Sequence, residues 1–407
     1  MNRAQARHPV SGLDPFSTEF LSDPYPFHEQ LREAGPVVRL ERYGIWAIAR
    51  HEQVHAVLGD WETFCSSAGV GLSDFRKEKP WRPPSILLEA DPPLHTRTRG
   101  VVMRVVSRPA IEALRETFTR EAEALVDRLV ALGSFDAVKQ LSEVYPLKVF
   151  PDAVGLGPEG RENLLPYGSM VFNAFGPRNK LFEDAMANAG PVRDWIIFRC
   201  RREALAPGGL GSQIYAAVDA GKISEDEAAL MVRSFLSAGL DTTVHALGNA
   251  IHCFARNPEQ WRLLREDPSQ ARAAFEEVIR YEGPVQTFFR TTTKEVDIAG
   301  VVLGAGEKVL LFLAAANRDP RRWDKPERFD IRRQTLGHVG FGNGIHGCVG
   351  QTVARLEGEI VLNALARRVD AIELSSEPRL LLNNTLRGWA SLPVAVRNAS
   401  RRPPDHT

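Results

Sequence analysis

The sequence predicts a mainly α fold with small β-sheets. Three observations carry this. Two long segments repeat apolar residues every three or four positions. The strand-like pieces are few and short. The composition is that of an ordinary globular chain, 43% hydrophobic and 25% charged over 407 residues.

The elements follow in order. "GPVVRL" and "GIWAIA" near the start read as short strands. Pro80–Arg99 is proline-rich, yet Trp81, Ile86, Leu87 and Leu88 suit a packed loop better than a solvated tether. Arg108–Gly133 has helical periodicity and a terminal glycine. Ser224–Pro258 opens on a capping box, Ser224 and Glu227, and stops at Asn257-Pro258. That predicts a helix of about 33 residues, on the order of 50 Å long, running through the body of the protein. A third helix spans about Ser269–Tyr281, before Gly283-Pro284, and a fourth follows Cys348 and reaches about Arg368. "VDIAGVVL", "KVLLFLA" and "SLPVAV" read as strands. Met1–Pro9 and Arg397–Thr407 read as frayed tails.

Bulk properties exclude several classes. Positive and negative residues balance at 51 each, which argues against a nucleic-acid surface. No apolar run reaches membrane-span length, and the N-terminus has no signal-peptide core. Cys65, Cys200, Cys253 and Cys348 are widely spaced, so a disulfide framework is not expected. A cytoplasmic location fits these features.

Three constellations carry chemistry. "FGNGIHGCVG" (Phe341–Gly350) contains a literal G-x-G-x-x-G, but the strand before it is short and too little chain follows for further βαβ units. Cys348 sits in this glycine-rich loop at a helix start, where unpaired N–H groups and the helix dipole favour a thiolate. The glycines let those N–H groups approach the sulfur. "AGLDTT" (Ala238–Thr243) is poor helix sequence in the middle of the longest helix, by a sum near 2 kcal/mol. It reads either as a proton relay or as a kink in which Thr242 bonds back to a carbonyl. Glu277 and Arg280 form an i,i+3 pair on one helix face.

In this order, A-G-x-D-T-T, E-x-x-R and F-G-x-G-x-H-x-C-x-G resemble the cytochrome P-450 superfamily of haem-thiolate monooxygenases. "AANRDP" and "PERFDIRR" match its connecting segments. The resemblance covers essentially the whole chain and implies a single P-450 domain, residues 1–407, with the long helix crossing over the haem. It implies haem b (iron protoporphyrin IX) with Cys348 as axial ligand. His95, Arg99, Arg290 and His346 would meet its propionates. Thr242 and Asp241 would activate O2 and deliver protons, and Glu277 and Arg280 would be structural. A monomer is expected, with electrons from a separate ferredoxin and an NADH-linked reductase. Arg355 is a candidate contact for that donor.

Longer stretches, including "VFNAFGP" and "GPVQTFFRTTT", resemble the subgroup that demethylates 4-methoxybenzoate. By that resemblance Arg82 and Ser85 would bind the carboxylate, with Ser234 and Arg233 helping from the long helix. Leu88, Phe172, Phe175, Ala238, Val285 and Phe288 would sandwich the ring. Ser234 and Ala238 share a helix face, and Ser234 lies roughly 12 Å from Thr242 along an ideal helix but about 80° round it. A bulge at Ala238–Gly239 would bring the two closer, whereas Arg233 points elsewhere on an ideal helix. A larger neutral substrate, such as a terpenoid or macrolide, and a non-catalytic haem sensor or carrier are the alternatives.

Overall fold

The structure is a computed structural model and describes residues 8–398. The expected tails lie outside these residues except at their inner ends. There Arg397 and Asn398 close the last strand, Pro393–Asn398, and pair with Ala371 and Val369.

Helices dominate, as the periodicity predicts. The expected helix over Arg108–Gly133 is two pieces, Arg108–Glu112 and Arg115–Leu132, the second ending on Gly133 at φ 74°. The third helix starts at Ala271, after a 3-10 turn over Pro268–Gln270 that Asp267 caps. The fourth spans Gln351–Arg368.

The longest helix also breaks, into Glu225–Ala238 and Asp241–Arg256. The capping box at Ser224 and Glu227 forms as its sequence requires. Gly239 and Leu240 interrupt the spiral, and the Phe150 ring packs against the break. A β-carbon on Gly239 would lie 2.7 Å from that ring and 2.7 Å from the Phe235 carbonyl. The hydroxyls of Thr242 and Thr243 turn back onto the carbonyls of Ala238 and Gly239, at 2.9 and 3.4 Å. Beyond the break the helix is buried almost all round, including His245, Asn249 and Phe254, as a central helix must be.

The main sheet has six strands, in the order Val10–Ser11, Val38–Leu40, Ile45–Ile48, Lys308–Phe312, Thr287–Thr292, Phe64–Cys65. "VDIAGVVL" is a hairpin rather than one strand, turning at Ala299 and Gly300, both with positive φ. A three-stranded sheet joins Val369–Leu374, Pro393–Asn398 and Ser134–Asp136.

Glu277 and Arg280 are completely buried. Arg280 donates Nε and Nη2 to the two Glu277 oxygens, at 2.6 and 2.7 Å. Its remaining N–H groups reach the carbonyls of Asn317, Pro326 and Arg328 at 2.9, 3.0 and 3.1 Å. All five guanidinium donors are thus used. Glu277 also accepts from the Asp330 N–H at 3.0 Å and from Arg333 at 3.3 Å.

Arg280→Met would leave the Glu277 carboxylate buried with one cation fewer and three carbonyls without donors. It is expected to cost about 3–5 kcal/mol, measured by urea unfolding of the haem-loaded protein. A loss under about 1 kcal/mol would mean that the cluster holds nothing.

Candidate functional site

The loop that carries Cys348 is built from short-range bonds. Gly342 N–H meets the Val339 carbonyl at 2.9 Å, Gly347 N–H meets that of Gly344 at 3.1 Å, and Cys348 N–H closes onto Phe341 at 2.7 Å. Gly342 and Gly344 take left-handed φ values of 72° and 67°, which L side chains resist. Gly344 also sits against Leu58, whose carbonyl a β-carbon would approach to 2.6 Å. Gly347 and Gly350 have ordinary negative φ. A β-carbon on Gly350 would lie 3.9 Å from the sulfur, so not every glycine is demanded by close approach to it. Burial pushes the Cys348 thiol up, opposed by the Gly350 N–H, by Arg99 and Arg355, and by the Gln351 N–H. An anionic sulfur here needs a further positive partner of its own.

Beside the loop lies a cluster with unmet donors. The His95 and His346 rings stand 4.4 Å apart. Both Nε2 atoms are buried and have no hydrogen-bond partner. Burial lowers both imidazoles, His95 to about 4. They are neutral near pH 7, and each offers one N–H. Arg290, also buried, donates only to the carbonyl of its neighbour Phe289, at 2.8 Å. Arg99 donates to the Gly347 carbonyl. Asp91 supports this corner from below, taking the N–H groups of Ser66 and Ser67 at 3.0 and 2.9 Å. It lies 3.7 Å from His346 Nε2, too long for a hydrogen bond. Two guanidinium groups and two orphaned imidazoles beside a half-buried thiol fit the two carboxylates and the iron of a haem.

On the long helix, Ala238 and Thr242 are accessible although Phe235, Leu236, Leu240 and Thr243 around them are buried. Asp241 faces the other way. Its carboxyl is fully buried against Gly168, where a β-carbon would come within 2.2 Å of Oδ2. Oδ1 has no partner. Burial, reinforced by Glu143, holds this acid well above the usual carboxylate range.

The proline-rich loop packs as expected, with Leu87 buried and Trp81, Ile86 and Leu88 against the core. Ser85 Oγ meets Ser234 Oγ at 3.1 Å. Arg82 is already engaged: Nη1 and Nη2 hold the Glu89 carboxylate at 2.9 and 3.3 Å, and Nη1 also reaches the Pro83 carbonyl. Only its Nε is left without a partner. Arg233, expected to point elsewhere, reaches the same loop and donates to the carbonyls of Pro83 and Pro84 at 2.8 and 3.3 Å. Phe175 packs edge-on against both Phe172 and Phe288, with centroids 5.8 Å apart in each pair. Val285 bridges to Leu386. A cleft of about 50 Å³ reaches Arg82, Glu89 and Phe175 from the surface.

Arg355 is not a free cation. It pairs with Glu276, donates to Gln351 at 2.6 Å and lies over the Phe341 ring. A groove of about 1020 Å³ opens nearby, with Arg272, Arg332, Arg333 and His338 among its walls.

Comparison with known proteins decides the family. A model described as Cytochrome P450 matches residues 210–386. Cytochrome p450 CYP199A2 of Rhodopseudomonas palustris is 57% identical over 96% of this chain and 95% of its own. This chain belongs to the cytochrome P450 family. The P450 monooxygenase PikC of Streptomyces venezuelae is 31% identical over 96% of this chain and 95% of its own. Among solved structures, cytochrome P450 CREJ in complex with (4-ethylphenyl) dihydrogen phosphate superposes with a TM-score of 0.86 at 27% identity, covering 95% of this chain and 99% of that one. The protein is therefore a haem-thiolate monooxygenase that uses haem b. Among the described residues, no helix of this P450 is long and apolar enough to cross a membrane.

Gly168→Ala would drive a methyl group into the Asp241 carboxyl. It is expected to destabilise this P450 by about 1–3 kcal/mol and to lower turnover more than substrate affinity. Thermal unfolding and steady-state oxidation check both. Unchanged turnover would separate Gly168 from the function of Asp241.

Proposed function

We propose that this P450 oxidises small para-substituted aromatic acids, with O-demethylation of 4-methoxybenzoate as its characteristic reaction. One observation carries the reading. The Ser85 and Ser234 hydroxyls meet across loop and helix, beside the buried guanidinium groups of Arg82 and Arg233. The Ser234 hydroxyl donates to the Leu230 carbonyl at 2.9 Å and the two hydroxyls bond each other; turned from these acceptors, they would offer two donors in a cationic surround, which suits a carboxylate. The 57% identity to CYP199A2 supports it. So does the CREJ complex, whose ligand joins a para-alkyl phenyl ring to an anionic head.

The roles follow from position. Ser85, Ser234 and Arg233 hold the carboxylate, with the Nε of Arg82 as a further donor. Phe172, Phe175 and Phe288, with Leu88, Val285 and Ala238, enclose the ring and exclude water. The para substituent then points along the helix towards Thr242. His95, Arg99, Arg290 and His346 would hold the propionates, and Cys348 would ligate the iron. The haem supplies the binding and reductive activation of O2. The Thr242 hydroxyl, which donates to the Ala238 carbonyl at 2.9 Å, would keep its oxygen free to accept a further hydrogen bond. Asp241, neutral because it is buried, keeps a proton available on its carboxyl one residue away. The balance is one methyl ether, one O2, two protons and two electrons, giving a phenol, formaldehyde and water. The electrons come from a ferredoxin and an NADH-linked reductase, with the groove beside Arg272 and Arg332 as the docking face. Arg355 lines the same groove, already paired with Glu276.

Titration of the ferric protein with 4-methoxybenzoate is expected to move the Soret band to shorter wavelength. Turnover with ferredoxin, reductase and NADH is expected to release formaldehyde and 4-hydroxybenzoate in equal amounts. A band that moves for a terpenoid or macrolide, and for no para-substituted benzoate, would transfer the protein to a neutral-substrate role.

A further inference from the structure

We propose that Glu89 sets the charge of the anion this pocket accepts, making it selective for monoanions. The inference rests on the aromatic-acid reading and adds to it a residue that reading does not use.

The argument is a count of buried charge. Arg82, Arg233 and Glu89 are all buried within one corner. Glu89 holds two nitrogens of Arg82 and also takes the Ser85 N–H, at 2.6 Å. Among the described residues, Arg233 has no carboxylate within ion-pair distance, and its only bonds are to two proline carbonyls. The other titratable groups acting on Arg233 are Tyr167 and Cys200, both kept neutral by burial, the thiol raised to about 12. Two cations and one anion leave one net positive charge in this buried corner. A buried charge without a partner is costly, so the corner is completed by a ligand carrying one negative charge. A second negative charge on the ligand would again be uncompensated. Without Glu89 the balance becomes two positive charges, which suits a dianion. Glu89 thus acts as a specificity determinant without touching the reacting atoms. Its bond to the Ser85 N–H also ties the charge count to the position of the serine hydroxyl.

The test uses Soret titrations of the haem-loaded protein at pH 8 with three probes. They are 4-methoxybenzoate, 4-methoxyphenyl phosphate, a dianion there because its second proton is lost near pH 6, and methyl 4-methoxybenzoate as the neutral control. Glu89→Gln is expected to shift the phosphate-to-benzoate affinity ratio at least tenfold towards phosphate, with the ester unaffected. Arg82→Gln, which leaves Glu89 to cancel Arg233, is expected to weaken benzoate binding at least tenfold. The double variant R82Q/E89Q restores the single positive charge and is expected to recover the part of that loss that comes from charge, binding benzoate more tightly than R82Q, whereas loss of the Arg82 Nε bond alone would leave the two equal. This comparison carries the test if Glu89→Gln alone does not fold. A ratio shift below tenfold in E89Q, or a double variant no tighter than R82Q, overturns the proposal while wild-type binding of 4-methoxybenzoate leaves the substrate reading standing. A wild-type protein that does not bind 4-methoxybenzoate overturns both.

Discussion

The interaction on which the rest depends is the buried pairing of Glu277 with Arg280. After Asn317 the chain runs without a sheet or long helix to satisfy its backbone until Gln351. Buried carbonyls in such a stretch need donors from elsewhere. Arg280 supplies three, to Asn317, Pro326 and Arg328. Asn317 in turn accepts the Val339 N–H on its side-chain oxygen at 2.8 Å, and Val339 begins the loop that ends at Cys348. The sulfur is therefore placed by a short chain of bonds from one helix turn. A buried ion pair adds little net stability against an apolar replacement. Its value here is positional, because a planar fork of five donors fixes three carbonyls at once.

The same economy explains the glycine-rich loop. A pyrophosphate site and a thiolate site both use backbone N–H groups at a helix start. What separates them is the atom the backbone surrounds. Here the loop closes on Cys348 through its own Phe341 carbonyl, and the neighbouring donors on His95 and His346 have no protein acceptor. Unsatisfied buried donors are rare in folded proteins. Their clustering beside a thiol indicates a ligand with its own anionic groups.

Local pattern made the helices legible, because periodicity and caps act over a few residues. Ser224 and Glu227, Gly133 and the start of the Gln351–Arg368 helix all follow that rule. The break in the long helix was legible only as weak propensity over Ala238–Thr243. Its sharpness comes from the Phe150 ring, distant in sequence. The strand Thr287–Thr292 escaped notice although all its residues but Arg290 are β-branched or aromatic. It is buried along most of its length and shows no alternation. Glu89, Asp91 and Gly168 were missed for a related reason. Each acts on a partner that only tertiary structure brings near, and none stands in a motif. Arg233 was misjudged because an ideal helix points it away from Ser234, while the loop it meets comes round to it.

The two acids of the site show why burial must be read together with partners. Glu89 and Asp241 are both buried. Glu89 has a guanidinium across both oxygens and a backbone N–H besides, so ionisation is compensated and it serves as a fixed charge. Asp241 has Gly168 beside it and an orphaned oxygen, so burial favours its neutral form. A fixed charge selects and orients an anion but moves no protons. A neutral acid carries a proton, which on the proposed reading Asp241 would hold in reserve. On the proposed reading, the division between anion binding just before the break and proton delivery at it would follow from which carboxyl was given an arginine and which was given a glycine.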